Sequence, residues 1–218
     1  WVYGSAGLAT TVDNVINELE LTLGMVGDGA FGEETQSFIH SVLDIDEPEG
    51  WDSQLENEPG LILSWRRRWP EAVTADLGPL HLSLEPSTET AIGNIYTYTG
   101  AGLWARITPR DHIWQDMPPR VRPAMPGTGY FGTPPQGGSW YLFAGAEGRA
   151  VARNIFLDGN TFKDSPSVDK NYLVADYTAG LALSWRDIRV SYSATYRSPE
   201  FENDDTDLFG GITLTLRY

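Results

Sequence analysis

Between Leu173 and Trp185 an apolar or small side chain stands at every second position: Leu173, Ala175, Tyr177, Ala179, Leu181, Leu183 and Trp185. Asp176, Thr178, Gly180 and Ser184 fill the other parity. A typical globular strand runs about 5–6 residues, whereas a tilted strand crossing an apolar band about 25 Å tall needs roughly twice that. Ile188, Val190, Tyr192, Ala194 and Tyr196 repeat the pattern against Arg189, Ser191, Ser193, Thr195 and Arg197, so Arg186-Asp187 reads as a tight hairpin turn. Ile212, Leu214, Leu216 and Tyr218 alternate with Thr213, Thr215 and Arg217; Leu19, Leu21, Leu23 and Met25 alternate with Glu18, Glu20, Thr22 and Gly24. Alternation that puts charge at strand centre predicts apolar faces toward lipid and polar faces toward a wet or protein-filled interior, because a lipid-facing Arg or Lys at midplane costs about 2–4 kcal/mol.

The expected architecture is an all-β, antiparallel transmembrane β-barrel. The periodicity predicts about nine strands, at 1–10, 15–27, 60–69, 72–85, 91–107, 138–152, 171–185, 187–198 and 208–218. Single-chain bacterial barrels use even numbers, so either one of these spans is wrongly divided or N-terminal strands are missing from a single barrel domain over residues 1–218. Trp1, Tyr3, Trp65, Trp69, Tyr96, Tyr98, Trp104, Trp140, Tyr141 and Trp185 are expected in interfacial aromatic belts. Cross-strand aromatic pairing in a soluble sheet is the competing account.

Three insertions interrupt the strands. Residues 31–45 switch to helical spacing, with Glu33 and Glu34 in the first turn and Phe38, Ile39, Val42 and Leu43 as an apolar stripe. Residues 108–137 form a long Pro/Gly-rich connection, and 153–170 a second one with an Asp158-Gly159 turn. On the predicted helix Gln36 and His40 are one turn apart and share a face. Histidine suits general-base work near neutral pH, and Asp44, Asp46 and Glu47 follow closely. A solvated helix whose His faces the C-terminal turn accounts for the same residues. His81 alternates with leucines and points inward on this reading, while Asp158, Asn160 and Asp164 have the spacing of oxygen ligands or of a plain turn.

The formal charge of −15 and pI near 4.4 argue against nucleic acid as a partner and favour a divalent cation. Lys163 and Lys170 are the sole lysines among 15 basic residues, so anion binding falls to arginine, with Arg120 and Arg122 as candidates for a lipid phosphate. The 218 residues hold no Cys, no apolar run long enough for a membrane helix, and no Gly-x-Ser-x-Gly or His-Glu-x-x-His motif.

Four segments taken in order carry a family resemblance: the Gly32-Glu33-Glu34 helix with Gln36 and His40; Gly50-Trp51-Asp52 with Gln54 to Gly60; Pro118 to Pro123; and Asn154 to Phe162. Together they resemble the LpxR-like lipid A 3'-O-deacylases, twelve-stranded outer-membrane barrels. The resemblance implies hydrolysis of the 3'-acyloxyacyl ester of lipid A by a His-activated water with Ca²⁺ steadying the oxyanion, in a chain acting as a monomer on lipopolysaccharide among outer-membrane lipids. It implies catalytic roles for His40 and Gln36 and a supporting acid at Asp46, with Glu47 as the alternative. The family's Asn-Asp pair and its Thr-Asp-Arg-Gly segment have no counterpart here, and Trp1 corresponds to a point after them. A non-enzymatic barrel, channel or structural, and a soluble carbohydrate-binding module are the rival expectations.

Overall fold

The computed structural model describes residues 1–46, 50–51, 54–111, 113–118, 131–134 and 137–217. Its strands are β1 (Val2–Val12), β2 (Val15–Val26), β3 (Glu58–Arg68), β4 (Val73–Leu77), β5 (Leu80–Gly93), β6 (Tyr96–Pro109), β7 (Gly138–Asn154), β8 (Leu173–Trp185), β9 (Ile188–Arg197) and β10 (Asp207–Leu216). Among the described residues two α-helices join them, α1 (Gly32–Leu43) between β2 and β3 and the single turn α2 (Ile155–Asp158) after β7. All pairings are antiparallel in the order β1-β2-β3-β5-β6-β7-β8-β9-β10, and β4 also pairs with β5.

The strands β3 and β4 lie end to end beside β5, facing residues 87–93 and 80–84 respectively, so they share one lane and the sheet has nine lanes. The described residues thus form ten strands in nine lanes, one strand more than expected, and two of the expected divisions do not hold. The spans 72–85 and 91–107 are broken differently, by turns at Gly78-Pro79 and Asn94-Ile95. Among the described residues β1 and β10 pair with no further strand, which makes the sheet a curled half-barrel with two free edges rather than a closed cylinder.

One end carries tight turns at 13–14, 78–79 and 186–187 together with the long connection 110–137. Asp13 and Asn14 both adopt positive φ (49° and 59°), the geometry of a type I′ hairpin turn. The other end carries the 27–57 connection with α1, the turn 94–95, the 155–172 connection with α2, and 198–206.

Side-chain parity follows the alternation in the sequence. On β3, Leu61, Leu63 and Trp65 are exposed on the outer face, while Ile62, Ser64, Arg66 and Arg68 are buried inside. On β8, Leu181, Leu183 and Trp185 face out and Asp176, Thr178 and Ser184 face in; on β10, Leu208, Ile212 and Leu214 face out. Apolar outside and charged inside inverts a soluble sandwich, and it is the arrangement a hydrocarbon solvent imposes.

The interior is filled by ion pairs. Arg68 is 1% exposed and forks onto Glu18 (3.0 and 3.1 Å), with Glu85 at 3.3 Å and Asp116 beside the same nitrogen. Arg66 pairs with Glu147, which also accepts from the Trp104 indole; Arg149 and Arg197 share Asp176 and Glu200. Charges taken out of water persist only when paired in this way. Asp116 belongs to the segment 113–118, which enters the lumen from the tight-turn end. Its carbonyl accepts from Tyr141 and Arg189, and Gln115 accepts from Ser184.

Tyr98, Trp104 and Tyr141 are 4%, 2% and 2% exposed and leave the expected aromatic belt, because they share the inward parity of Arg106 and Arg149. Trp104 lies over Gly145, its pairing partner, where a Cβ would come within 2.4 Å of the indole; Phe143 covers Gly180 in the same way. Tyr3, Trp65 and Trp185 do face outward.

Candidate functional site

The segment that carries His40 is shaped by its backbone before any side chain acts. After β2, Gly27 takes φ 95° with its α-carbon so close to the backbone of 55–57 that a Cβ would sit 2.7 Å from Asn57 N. A 3-10 turn follows at Asp28–Ala30, held by Gly29 N–H donating to the Asn57 side chain (2.6 Å) and Gln54 Nε2 donating to Asp28 (3.4 Å). Asp28 therefore helps to anchor the loop. The residue at the helix N-cap is Phe31, in the left-handed region, without a side-chain cap. Trp51 packs its ring against Gly32 at the start of α1.

At the other end of α1, Asp44 adopts φ 54° and turns the chain back, and the amides of Asp44 and Ile45 both donate to the His40 carbonyl. That reversal brings the backbone oxygen of Asp46 to the Nδ1 atom of His40 at 2.5 Å. Gln36 Nε2 lies 3.5 Å from His40 Nε2, one helical turn away as the i, i+4 spacing requires. With an Nδ1 proton given to a carbonyl, the lone pair of a neutral imidazole is on Nε2, the nitrogen that faces Gln36. His40 is half-buried and Asp46 is exposed. The structure thus brings His40, Gln36 and Asp46 together, with Asp46 contributing its main chain and not its carboxylate.

The helix hangs from the barrel by these loop contacts and not by its apolar stripe. Phe38, Ile39, Val42 and Leu43 are 68%, 47%, 66% and 60% exposed, and no residue of α1 is fully buried.

The segment Asn154 to Thr161, which holds Asp158 and Asn160 of the expected ligand spacing, has a structural task. The Asn154 side chain caps α2 by accepting from Phe156 N–H, and Asp158 accepts from Asn154 N–H and pairs with Lys170. Asn160 is 9% exposed and bonds Glu56 at both its amide and its carbonyl and the Glu58 carboxylate; Thr161 N–H and Asn94 Nδ2 complete the Glu58 shell. The base of the α1 loop is thereby stapled to the 155–172 connection across more than 100 residues of sequence. No signal in the sequence separated this lock from an oxygen-ligand loop, since both want Asp and Asn near a Gly turn.

Arg120, Arg122, His112 and Glu47 lie outside the described residues. The connection holding the two arginines leaves β6 at Pro109 and enters β7 at Gly138, at the end of the sheet opposite α1. His81 has the inward parity expected of it, near that same opposite end, between Asp76 (2.8 Å from Nδ1) and Glu71 (3.5 Å from Nε2). A cavity of about 980 Å³ lies there as well, lined by Pro109, Arg110, Trp140 and Trp185, with no histidine among its described lining residues. Beside His40 no three His, Asp or Glu side chains converge among the described residues.

A curled antiparallel sheet with an apolar outer wall and an ion-paired interior defines the class: an outer-membrane β-barrel protein. The sequence matches the family described as "Outer membrane protein LpxR" over residues 1–218, and the chain belongs to that family. By structure it is similar to LpxR from Salmonella typhimurium at a TM-score of 0.80 and 20% identity, covering 99% of this chain and 72% of that one. No curated protein matches it by sequence.

Proposed function

We propose that the protein hydrolyses the 3'-acyloxyacyl ester of lipid A, with His40 as the general base. The observation that carries this reading is the fixed orientation of His40: one ring nitrogen tied to the Asp46 carbonyl, the other facing the Gln36 amide at 3.5 Å, on an exposed helix at the barrel rim. A water held at Nε2 loses its proton to His40 as it attacks the ester carbonyl, and the alkoxide of the glucosamine leaves with a proton returned by the imidazolium. The Gln36 amide, already within 3.5 Å of Nε2, holds that water or the ester oxygen. The exposed Phe38, Ile39, Val42 and Leu43 offer an acyl substrate an apolar surface next to the base. Family membership supports the substrate class, because the family resembled in sequence deacylates lipid A.

Calcium remains part of the proposal on the family resemblance alone. Among the described residues no group of three His, Asp or Glu side chains offers the cation a ligand set. The lumen plugged by 113–118 favours chemistry at the wall over conduction through the middle.

Purified full-length protein mixed with lipid A in detergent should release the 3' acyl chain. His40→Ala should abolish release, Gln36→Ala should lower it by about ten- to a hundredfold, the size of one lost hydrogen bond to a charged group, and EDTA should suppress it. Release by His40→Ala at the native rate sinks the base assignment, and EDTA-insensitive release removes Ca²⁺ from the scheme.

A further inference from the structure

On the outer wall at the α1 end, β5 to β8 enclose a groove of about 520 Å³. Its outward lining is small along the middle, Thr97 and Thr99 on β6 and Ala150 and Ala152 on β7, between larger banks at Ile92 on β5 and at Tyr172 and Leu173 beside and on β8. The threonine hydroxyls are already satisfied. Thr90 and Thr99 bond each other at 3.1 Å, Thr99 also reaches the Glu89 carbonyl, and Thr97 donates to the Gly93 carbonyl. What the groove shows to its surroundings is therefore methyl and methylene, in a wall that faces hydrocarbon.

At the rim stands Arg153, one residue beyond Ala152 and paired in register with Thr97. Its Nη2 donates to the Gly159 carbonyl (2.7 Å) and Thr161 Oγ1 (2.9 Å), and its Nε to the Asn94 carbonyl (3.3 Å). All three acceptors are neutral. Among the described residues Arg153 makes no ion pair, and its Nη1 amino group has no acceptor, in a chain whose net charge is −15. A guanidinium oriented by neutral oxygens and left with open donors has hydrogen bonds and charge to offer a phosphate. The same Thr161 whose hydroxyl holds Arg153 is bonded through its backbone to Glu58, so this cation is fixed to the staple that anchors the α1 loop.

We infer that this wall docks a phosphate-bearing acylated lipid, its phosphate on Arg153 and one acyl chain in the groove. On the reading proposed above that lipid is the substrate, held by a chain other than the one cleaved; the groove lies two to three lanes around the wall from β3, about 10–15 Å at the usual strand spacing. Arg153 and the groove lining act in binding, and His40 in cleavage.

Binding is measured by native mass spectrometry on the full-length His40→Ala protein in detergent, with bis-phosphorylated lipid A, the same lipid stripped of phosphate, and inorganic phosphate as probes. The phosphorylated lipid should be retained. Removing its phosphates or making Arg153→Gln should each weaken retention about ten- to a hundredfold, with little further loss when combined, and Arg153→Lys should restore part of it. Ala150→Phe should weaken retention with Arg153 intact, whereas Leu214→Phe on the outer face of β10 should leave it unchanged. Equal retention by Arg153→Gln and its parent, undiminished retention by Ala150→Phe, or full competition by inorganic phosphate alone would overturn the inference. Hydrolysis by the His40-containing protein is scored separately, so retention without hydrolysis defeats the proposed reaction and hydrolysis without Arg153-dependent retention defeats the docking site.

Discussion

At the scale of single residues, Arg68 shows how the interior is held. It is buried against Glu18, Glu85 and Asp116, three carboxylates from β2, β5 and the lumen segment. Arg68→Met leaves those charges facing one another without their cation, and the cost is about 3–5 kcal/mol. Urea unfolding of the protein in lipid vesicles should show that loss as a lower midpoint, and an unchanged midpoint would count against the network. Arg110→Ala breaks the pair with Asp76, whose side chains are 60% and 43% exposed, and should stay within about 1 kcal/mol of the parent. The inward placing of Arg66, Arg68 and Arg189 was legible from alternation alone. That of Tyr98, Trp104 and Tyr141 is equally written in their parity with Arg106 and Arg149, but aromatic residues also favour membrane interfaces, and composition alone does not separate the two preferences. Which carboxylate meets which arginine was not legible, because Arg68 and Asp116 are 48 positions apart and meet only once the sheet has curled.

At the scale of elements, α1 depends on a neighbour distant in sequence. Its loop is closed by Gly27 against 55–57 and then locked by Asn160 onto Glu56 and Glu58. Replacing Asn160 with Ala leaves Glu58 with fewer donors and the Glu56 amide without its acceptor, a loss of about 1–3 kcal/mol confined to this rim. Limited proteolysis should then cut within 27–57 faster while the strands stay protected; unchanged cleavage would show that the staple does not hold the loop. The helix itself was legible as 31–45 from its 3.6-residue period, against Gly32–Leu43 observed. Its N-terminus was not, since Phe31 in a left-handed conformation gives no capping signature. The turns at Gly78-Pro79 and Asn94-Ile95 were marked by their residue types. Leucines and aromatics keep their alternation on either side of these turns, so two antiparallel strands have the pattern of one long one.

At the scale of the whole molecule, two solvents explain the arrangement. Hydrocarbon outside selects leucine, isoleucine and valine on the outer wall, and the interior, cut off from lipid, collects arginine against glutamate and aspartate. The tight-turn end is plugged by 113–118, while the other end gathers α1, the Glu58 staple, Arg153 and the outer groove. Membership of the LpxR family and the outer-membrane location agree with that polarity. Mass spectrometry of lipid A from cells expressing the full-length protein tests most directly the proposed removal of the 3' acyloxyacyl chain by His40 at the rim of this wall. Lipid A lighter by that one chain with the parent protein, and of native mass with His40→Ala, is the predicted result; lipid A of native mass in both, or lightened equally in both, would contradict it.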